Sequence, residues 1–251
     1  MDSSAIPRDD RPPICPPRWD ARIAGGLFLG WITLAHTSAL LELSPAISAW
    51  YPPAALLAAA CMLWGARALV PIVLAACTLA VWSADRTTGL ARVLAVSALI
   101  KVIYWSFART LRARDFDLSF SRPADVTRFG AVFLVAAGVA GAVVTVDTQG
   151  LSGVLRPYGL LALRTFWVGD VVAVIALAPA LIVLVCWLAE VTPESARALL
   201  RRLPDVLTPL RVLQLVSIPI ALAISKELAP TIGFFAYALC FLPLGWIALE
   251  H

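Results

Sequence analysis

Two charged residues lie deep inside long apolar stretches of the sequence, and they are the first candidates for chemistry. Asp170 follows about ten residues of the apolar run 160–188, and Lys101 follows about twelve residues of the run 89–108. At the helical rise of 1.5 Å per residue, these positions are roughly 15 and 18 Å from the start of each run. The two charges are therefore either the polar floor of a ligand pocket or an interhelical ion pair that only fixes packing.

Aromatic residues flank both charges at helical spacing. Trp167 precedes Asp170 by three positions, whereas Tyr104 and Trp105 follow Lys101 by three and four positions. Residues three or four apart lie on the same face of a helix. Charged groups walled by aromatic rings suit a cation or an aromatic ligand. Ordinary aromatic packing inside a helical bundle is the alternative interpretation.

The second apolar run, 53–65, is short and has an unusual aromatic entry. Trp50 and Tyr51 stand directly before Pro52 and Pro53. Paired prolines are tolerated at the first positions of a helix but not in its interior, so they predict a helix start here. We expect the segment that leads into this helix to enter the membrane without forming a continuous helix. Its two aromatic side chains are either lids of the pocket or anchors at the membrane interface.

His36 is a further candidate, because it lies near the outer third of the first apolar run. A histidine at that depth can titrate near neutral pH and report external pH. It can equally donate a hydrogen bond to a helix carbonyl and serve packing alone.

Apolar helices must position these residues, as the composition shows. Of the 251 residues, 61% are hydrophobic and 14% are charged, and the mean hydropathy is +0.86. A soluble domain of this size carries more charge on its surface. The composition therefore excludes a soluble enzyme, a disordered chain and a nucleic-acid-binding protein. It predicts a polytopic membrane protein whose first partner is the lipid bilayer.

The apolar runs predict the fold class. A transmembrane helix needs roughly 20 mostly apolar residues. We predict an all-α, polytopic integral membrane bundle of about eight transmembrane helices with both termini in the cytoplasm. The apolar runs are 23–42, 53–65, 68–83, 89–108, 130–146, 160–188, 210–225 and 229–248.

The distribution of basic residues supports this topology. Cytoplasmic segments of membrane proteins are enriched in Lys and Arg. With eight helices and a cytoplasmic N-terminus, 14 of the 20 basic residues fall on the inner side. The other six, in outer loops or within helices, are Arg86, Arg92, Lys101, Arg156, Arg164 and Lys226.

Sequence motifs for catalysis or metal binding are missing from the chain. It contains no P-loop, GxSxG or HExxH motif, and its five cysteines include no CxxC pair. We therefore expect no enzymatic activity, no metal ion and no cofactor.

Two short elements carry a resemblance to a known family. The first is Trp50–Ala55, followed by Leu63–Arg67 and Pro71, and the second is Phe166–Asp170, followed by Ala178-Pro179. With the predicted topology, they resemble the type-one membrane-associated sensor domain (MASE family) of bacterial signalling proteins. The resemblance covers almost the whole chain past its first residues. It implies an input module fused to a histidine kinase or diguanylate cyclase output domain, and a homodimer in the full-length protein.

The sequence therefore predicts an input domain in a bacterial inner membrane. It would detect a small ligand or a membrane partner from the periplasmic side and relay the signal to a C-terminal cytoplasmic output domain. The expected parts are a disordered leader (1–21), the transmembrane sensor (22–248) and the remnant of an affinity tag (249–251). A small-molecule transporter, or its substrate-binding subunit, is the alternative, because midplane charges and a broken helix suit transporters as well.

Overall fold

A computed structural model describes most of the first three quarters of the chain. The described residues are 17–39, 42–44, 47–48, 51–83, 90–120, 122–150 and 157–190. The predicted helices at 210–225 and 229–248, most of the predicted leader, residues 249–251 and Trp50 lie outside them.

Six α-helices and a short two-stranded ribbon make up the described structure. The ribbon pairs Glu42 with Ser48 in antiparallel fashion, and it was not predicted from the sequence. In chain order the elements are α1 (Ala21–Ala39), β1 (Glu42–Ser44), β2 (Ile47–Ser48), α2 (Pro52–Trp64), a 3₁₀ turn (Gly65–Ala68), α3 (Leu69–Ser83), α4 (Leu90–Arg112), α5 (Pro123–Gln149) and α6 (Pro157–Glu190).

Four helical stretches in the described part of the chain are long and apolar enough to cross a membrane. They are Pro52–Trp82, Ala91–Arg112, Pro123–Thr148 and Ala162–Cys186. The helical fold class and the multi-pass membrane protein predicted from the sequence are thus confirmed. The count of eight helices and the cytoplasmic termini stay predictions.

The first of these stretches is not one straight helix, because Gly65 breaks it. Gly65 has a φ of 63°, and a methyl group at this position would lie 2.7 Å from Nη1 of Arg112 at the end of α4. Helix α3 packs against α4, and Cys77 in the middle of α3 lies near Lys101 in the middle of α4. The chain after Gly65 therefore runs from the end of α4 toward its beginning. α3 runs antiparallel to α4 after the turn.

Helix α2 is the centre of the bundle. All of its residues except Leu56 and Trp64 are buried. A helix that is apolar on every side is expected in the interior of a helical assembly. Its alanines lack bulky side chains, and this lets the backbones of neighbouring helices approach closely. α2 packs against α1, α4 and α6.

The start of α2 agrees with the prediction from the paired prolines. Pro52 and Pro53 occupy the first positions of the helix and are both buried. The first N–H groups of a helix have no partner within it, and a proline has no N–H group to leave unpaired. The donors on either side of the prolines are also paired. Ala54 N–H donates to Tyr51 O (3.0 Å), and Tyr51 N–H donates to Gly169 O (3.4 Å).

Helices α4, α5 and α6 pack side by side, α4 on α5 and α5 on α6. At the beginning of α4, Arg92 pairs with Asp147 near the end of α5, with Nε and Oδ1 2.5 Å apart. Glycines in the middle of α5 make room for α6, where Gly141 lies against Leu163 and Phe166. The sixth apolar run, 160–188, lies within a single 34-residue helix that includes Pro179.

Candidate functional site

Asp170 is a buried carboxylate in α6, and only 2% of its surface is exposed. The hydroxyl of Tyr104 in α4 donates a hydrogen bond of 2.6 Å to its Oδ2 atom. Tyr104 is itself fully buried and packs its ring against Phe133 of α5, with the centroids 5.9 Å apart. This hydrogen bond links two helices through the interior of the bundle.

The second oxygen of this carboxylate has no partner. Asp170 Oδ1 is buried and accepts no hydrogen bond from any described residue. An unpaired buried oxygen is costly, since the group has lost its hydration without gaining a replacement. Such an atom is satisfied by protonation, by a water molecule or by a donor group on a bound ligand.

Tyr51 completes the surroundings of Asp170. It caps the start of α2, and its ring lies 6.4 Å from that of Phe166, measured between centroids. Its backbone N–H bonds Gly169, the residue before the carboxylate, and Asp170 acts electrostatically on the Tyr51 side chain. The N-terminus of α2, the positive end of the helix dipole, therefore lies close to Asp170 and favours negative charge there. We refer to Asp170, Tyr104 and Tyr51 as the Asp170 cluster.

Lys101 does not form the direct ion pair with Asp170 that the sequence suggested. Its ammonium donates to Ser97 Oγ (2.6 Å) and lies 4.7 Å from the centroid of the Trp31 ring. No lysine nitrogen comes within 4.0 Å of the carboxylate in the described part of the chain, although Lys101 still attracts it electrostatically. Helical side chains lean toward the N-terminus of their helix. Lys101 therefore points back toward Ser97, while Tyr104 reaches Asp170.

Three other predicted site residues lie apart from the Asp170 cluster. Trp167 faces α5, where its Nε1 donates to the Leu134 carbonyl at 2.8 Å. Trp105 lies beneath the Arg109 guanidinium, 5.7 Å from the ring centroid to Cζ, toward the far end of α4. His36 is exposed, and its Nδ1 bonds the Ile32 carbonyl of its own helix at 2.9 Å. Trp50 is outside the described residues.

The predicted residues that the structure brings together are Asp170, Tyr104 and Tyr51, with Pro52 and Pro53 adjoining them. The sequence places Tyr104 only beside Lys101 as an aromatic neighbour, and it does not predict the hydrogen bond from Tyr104 to Asp170. The partners of Lys101, Ser97 and Trp31, were missed as well. Ser97 precedes Lys101 by four residues, so helical spacing could have predicted their contact. No pattern in the sequence predicts the contact of Lys101 with Trp31.

The described residues include no group of three His, Cys, Asp or Glu side chains placed to hold a metal ion. What the Asp170 cluster offers chemically is an acceptor oxygen buried among aromatic rings. Such a group binds a hydrogen-bond donor strongly, because a hydrogen bond is stronger in the low dielectric of a protein interior.

Comparison with other proteins places the chain in a family. No curated protein and no solved structure matches it. The family model described as MASE1 matches residues 19–251, which is nearly the entire chain. Together with the membrane-spanning helices and the two motif elements that meet at the Asp170 cluster, this match shows that the chain belongs to the MASE1 family of membrane sensor domains.

Proposed function

We propose that this chain is a sensory input domain in which a small ligand binds at the Asp170 cluster. The observation that carries the proposal is Asp170 Oδ1, a buried acceptor without a donor beside a helix that begins within the bundle. A ligand that supplies an N–H or O–H donor to Oδ1 would satisfy this atom, and the rings of Tyr51 and Phe166 would pack against its apolar part. The ligand would reach the cluster from the periplasmic side, where the ribbon and the start of α2 lie in the proposed topology.

The signal would travel through the packing of α2 against α6. Tyr51 touches α6 through Gly169 and Phe166, so a ligand that displaces Tyr51 also displaces α6. The later part of the chain would pass this shift to a cytoplasmic output domain of the histidine kinase or diguanylate cyclase type. The full-length protein would act as a homodimer in a bacterial inner membrane. A ligand biases the output only by its difference in affinity for the two packing states.

The test begins with a screen on the purified chain in detergent. Small molecules are ranked by how far they raise the thermal unfolding midpoint, since a ligand stabilises the state it binds. A genuine ligand should stabilise the wild type but neither Asp170→Asn nor Tyr104→Phe. Asp125→Asn is the matched control, because Asp125 is another carboxylate, 1% exposed, with an unpartnered oxygen, and it lies in the first turn of α5, outside the Asp170 cluster.

The ligand is then applied to cells that express the chain joined to a cyclase or kinase output domain. We expect Asp170→Asn to lose the response at normal membrane levels while Asp125→Asn keeps it. A normal response in both Asp170→Asn and Tyr104→Phe would contradict the proposal. Uptake of the ligand into sealed vesicles that contain the purified chain would favour a transporter instead.

A further inference from the structure

A concave surface lies where α2 turns into α3, beside the end of α4. It is a groove of about 540 Å³, and we call it the arginine groove. Its floor includes the buried Cys61. The residues that define it are Cys61, Trp64, Arg67, Trp105, Arg109 and Arg112.

The charge of the groove is unbalanced. Arg67, Arg109 and Arg112 are all exposed, and none of them pairs with a carboxylate in the part of the chain that the structure describes. None of the described residues that line the groove is Asp or Glu. Three guanidinium groups on one small surface repel each other unless an anion lies between them, and guanidinium matches phosphate in a bidentate geometry.

The positions of the arginines are constrained by their neighbours. The guanidinium of Arg109 lies over the Trp105 ring, 5.7 Å from its centroid. Arg112 lies against Gly65, where even one methyl group would come within 2.7 Å of Nη1. The glycine thus leaves space for a guanidinium at the edge of the groove. A partly ordered set of donors loses less entropy when an anion binds.

The location of the groove identifies the source of the anion. Two tryptophans line it, and Trp64 also packs edge-on against Trp19, with centroids 5.9 Å apart, and donates to the Pro17 carbonyl at 2.9 Å. Tryptophans gather at the membrane–water interface, at the level of lipid headgroups. Arginines at the ends of transmembrane helices meet lipid phosphates there, and basic pockets between such helices bind anionic headgroups.

We propose that the arginine groove binds the phosphate of an anionic phospholipid headgroup. Arg67, Arg109 and Arg112 surround the phosphate, and the rings of Trp64 and Trp105 pack beside the glycerol and the first part of the acyl chains. This site is independent of the ligand proposed at the Asp170 cluster.

The experiment uses the purified 251-residue chain in a neutral detergent. It is titrated with dioctanoyl phosphatidylglycerol, dioctanoyl phosphatidylcholine or inorganic phosphate, and the thermal unfolding midpoint and apparent Kd are measured. We expect saturable stabilisation by phosphatidylglycerol, weakened by salt, and little effect of the other two probes. Arg67→Gln/Arg109→Gln should weaken phosphatidylglycerol binding at least about tenfold, which corresponds to about 1.4 kcal/mol.

Arg114→Gln is the matched control, because Arg114 is an exposed arginine just past α4 that does not line the groove. It should leave the affinity unchanged. If the double variant does not fold, the single Arg67→Gln variant, at an exposed turn position, should show a smaller loss in the same direction. Equal losses in Arg114→Gln would show general charge attraction and overturn the proposal. Equal stabilisation by inorganic phosphate would assign the groove to a soluble anion and overturn the lipid as its source.

Discussion

Asp170 and Tyr104 illustrate how a membrane bundle tolerates a buried carboxylate. The depth of Asp170 was predictable, because its position within an apolar run fixes how far it lies from the helix end. Its partner was not predictable in the same way. Partner choice depends on how α4 and α6 are rotated about their axes, and side-chain direction along α4 favoured Tyr104 over Lys101.

Two double-mutant cycles test this arrangement at the residue scale. Tyr104→Phe removes the donor to Asp170, and residues in direct contact show coupling energies of about 0.5–3 kcal/mol. We therefore expect the Asp170→Asn/Tyr104→Phe cycle to show clear coupling in the free energy of unfolding, measured in detergent. The Asp170→Asn/Lys101→Met cycle should show a smaller coupling, because no direct ion pair joins the two residues. A larger coupling for the lysine pair would contradict the structure.

At the scale of elements, helix ends marked by proline or glycine agree with the sequence better than helix ends placed from hydropathy alone. The paired prolines located the start of α2 correctly, and the Gly65 break falls at the end of the second predicted run. In contrast, the fifth run was predicted at 130–146, whereas α5 extends over Pro123–Gln149. Apolar runs mark only the part of a helix that faces apolar surroundings, and polar turns such as Asp125–Arg128 continue the helix beyond it.

The prolines of α2 lead to a prediction about backbone hydrogen bonding. Pro53→Ala adds an N–H group at a buried helix start, where it has no acceptor within the helix. An unpaired buried polar group costs about 1–3 kcal/mol, so the variant should unfold more readily in detergent. Pro123→Ala is the matched control, since Pro123 opens α5 at an exposed position where water can bond the new N–H. Equal destabilisation by both substitutions would show that burial of the α2 start is not responsible.

At the scale of the whole molecule, the helices of the described region form a multi-pass bundle with two distinct ends. The Arg92–Asp147 pair fixes the beginning of α4 and the end of α5 at one end. The arginine groove and the turn after α4 lie at the other, because Gly65 meets Arg112 there. Hydropathy predicted the membrane class of this assembly because composition alone determines it. The orientation in the membrane depends instead on the distribution of Lys and Arg between the loops, which acts during membrane insertion and is not determined by helix packing.

The orientation is therefore the last prediction. The excess of arginine at the groove end indicates that this end faces the cytoplasm. On a background without cysteine, Thr148→Cys near the end of α5 and Arg114→Cys after α4 each introduce one exposed thiol. A membrane-impermeant maleimide added to spheroplasts should label Thr148→Cys at once, and Arg114→Cys only after permeabilisation. Cysteines introduced in the loop 84–88 should be labelled as readily as Thr148→Cys. Cysteines introduced in the loop 192–206 should be labelled only after permeabilisation, like Arg114→Cys. Rapid labelling of Arg114→Cys in intact spheroplasts would reverse the orientation, and it would also remove the periplasmic route of the ligand to Asp170.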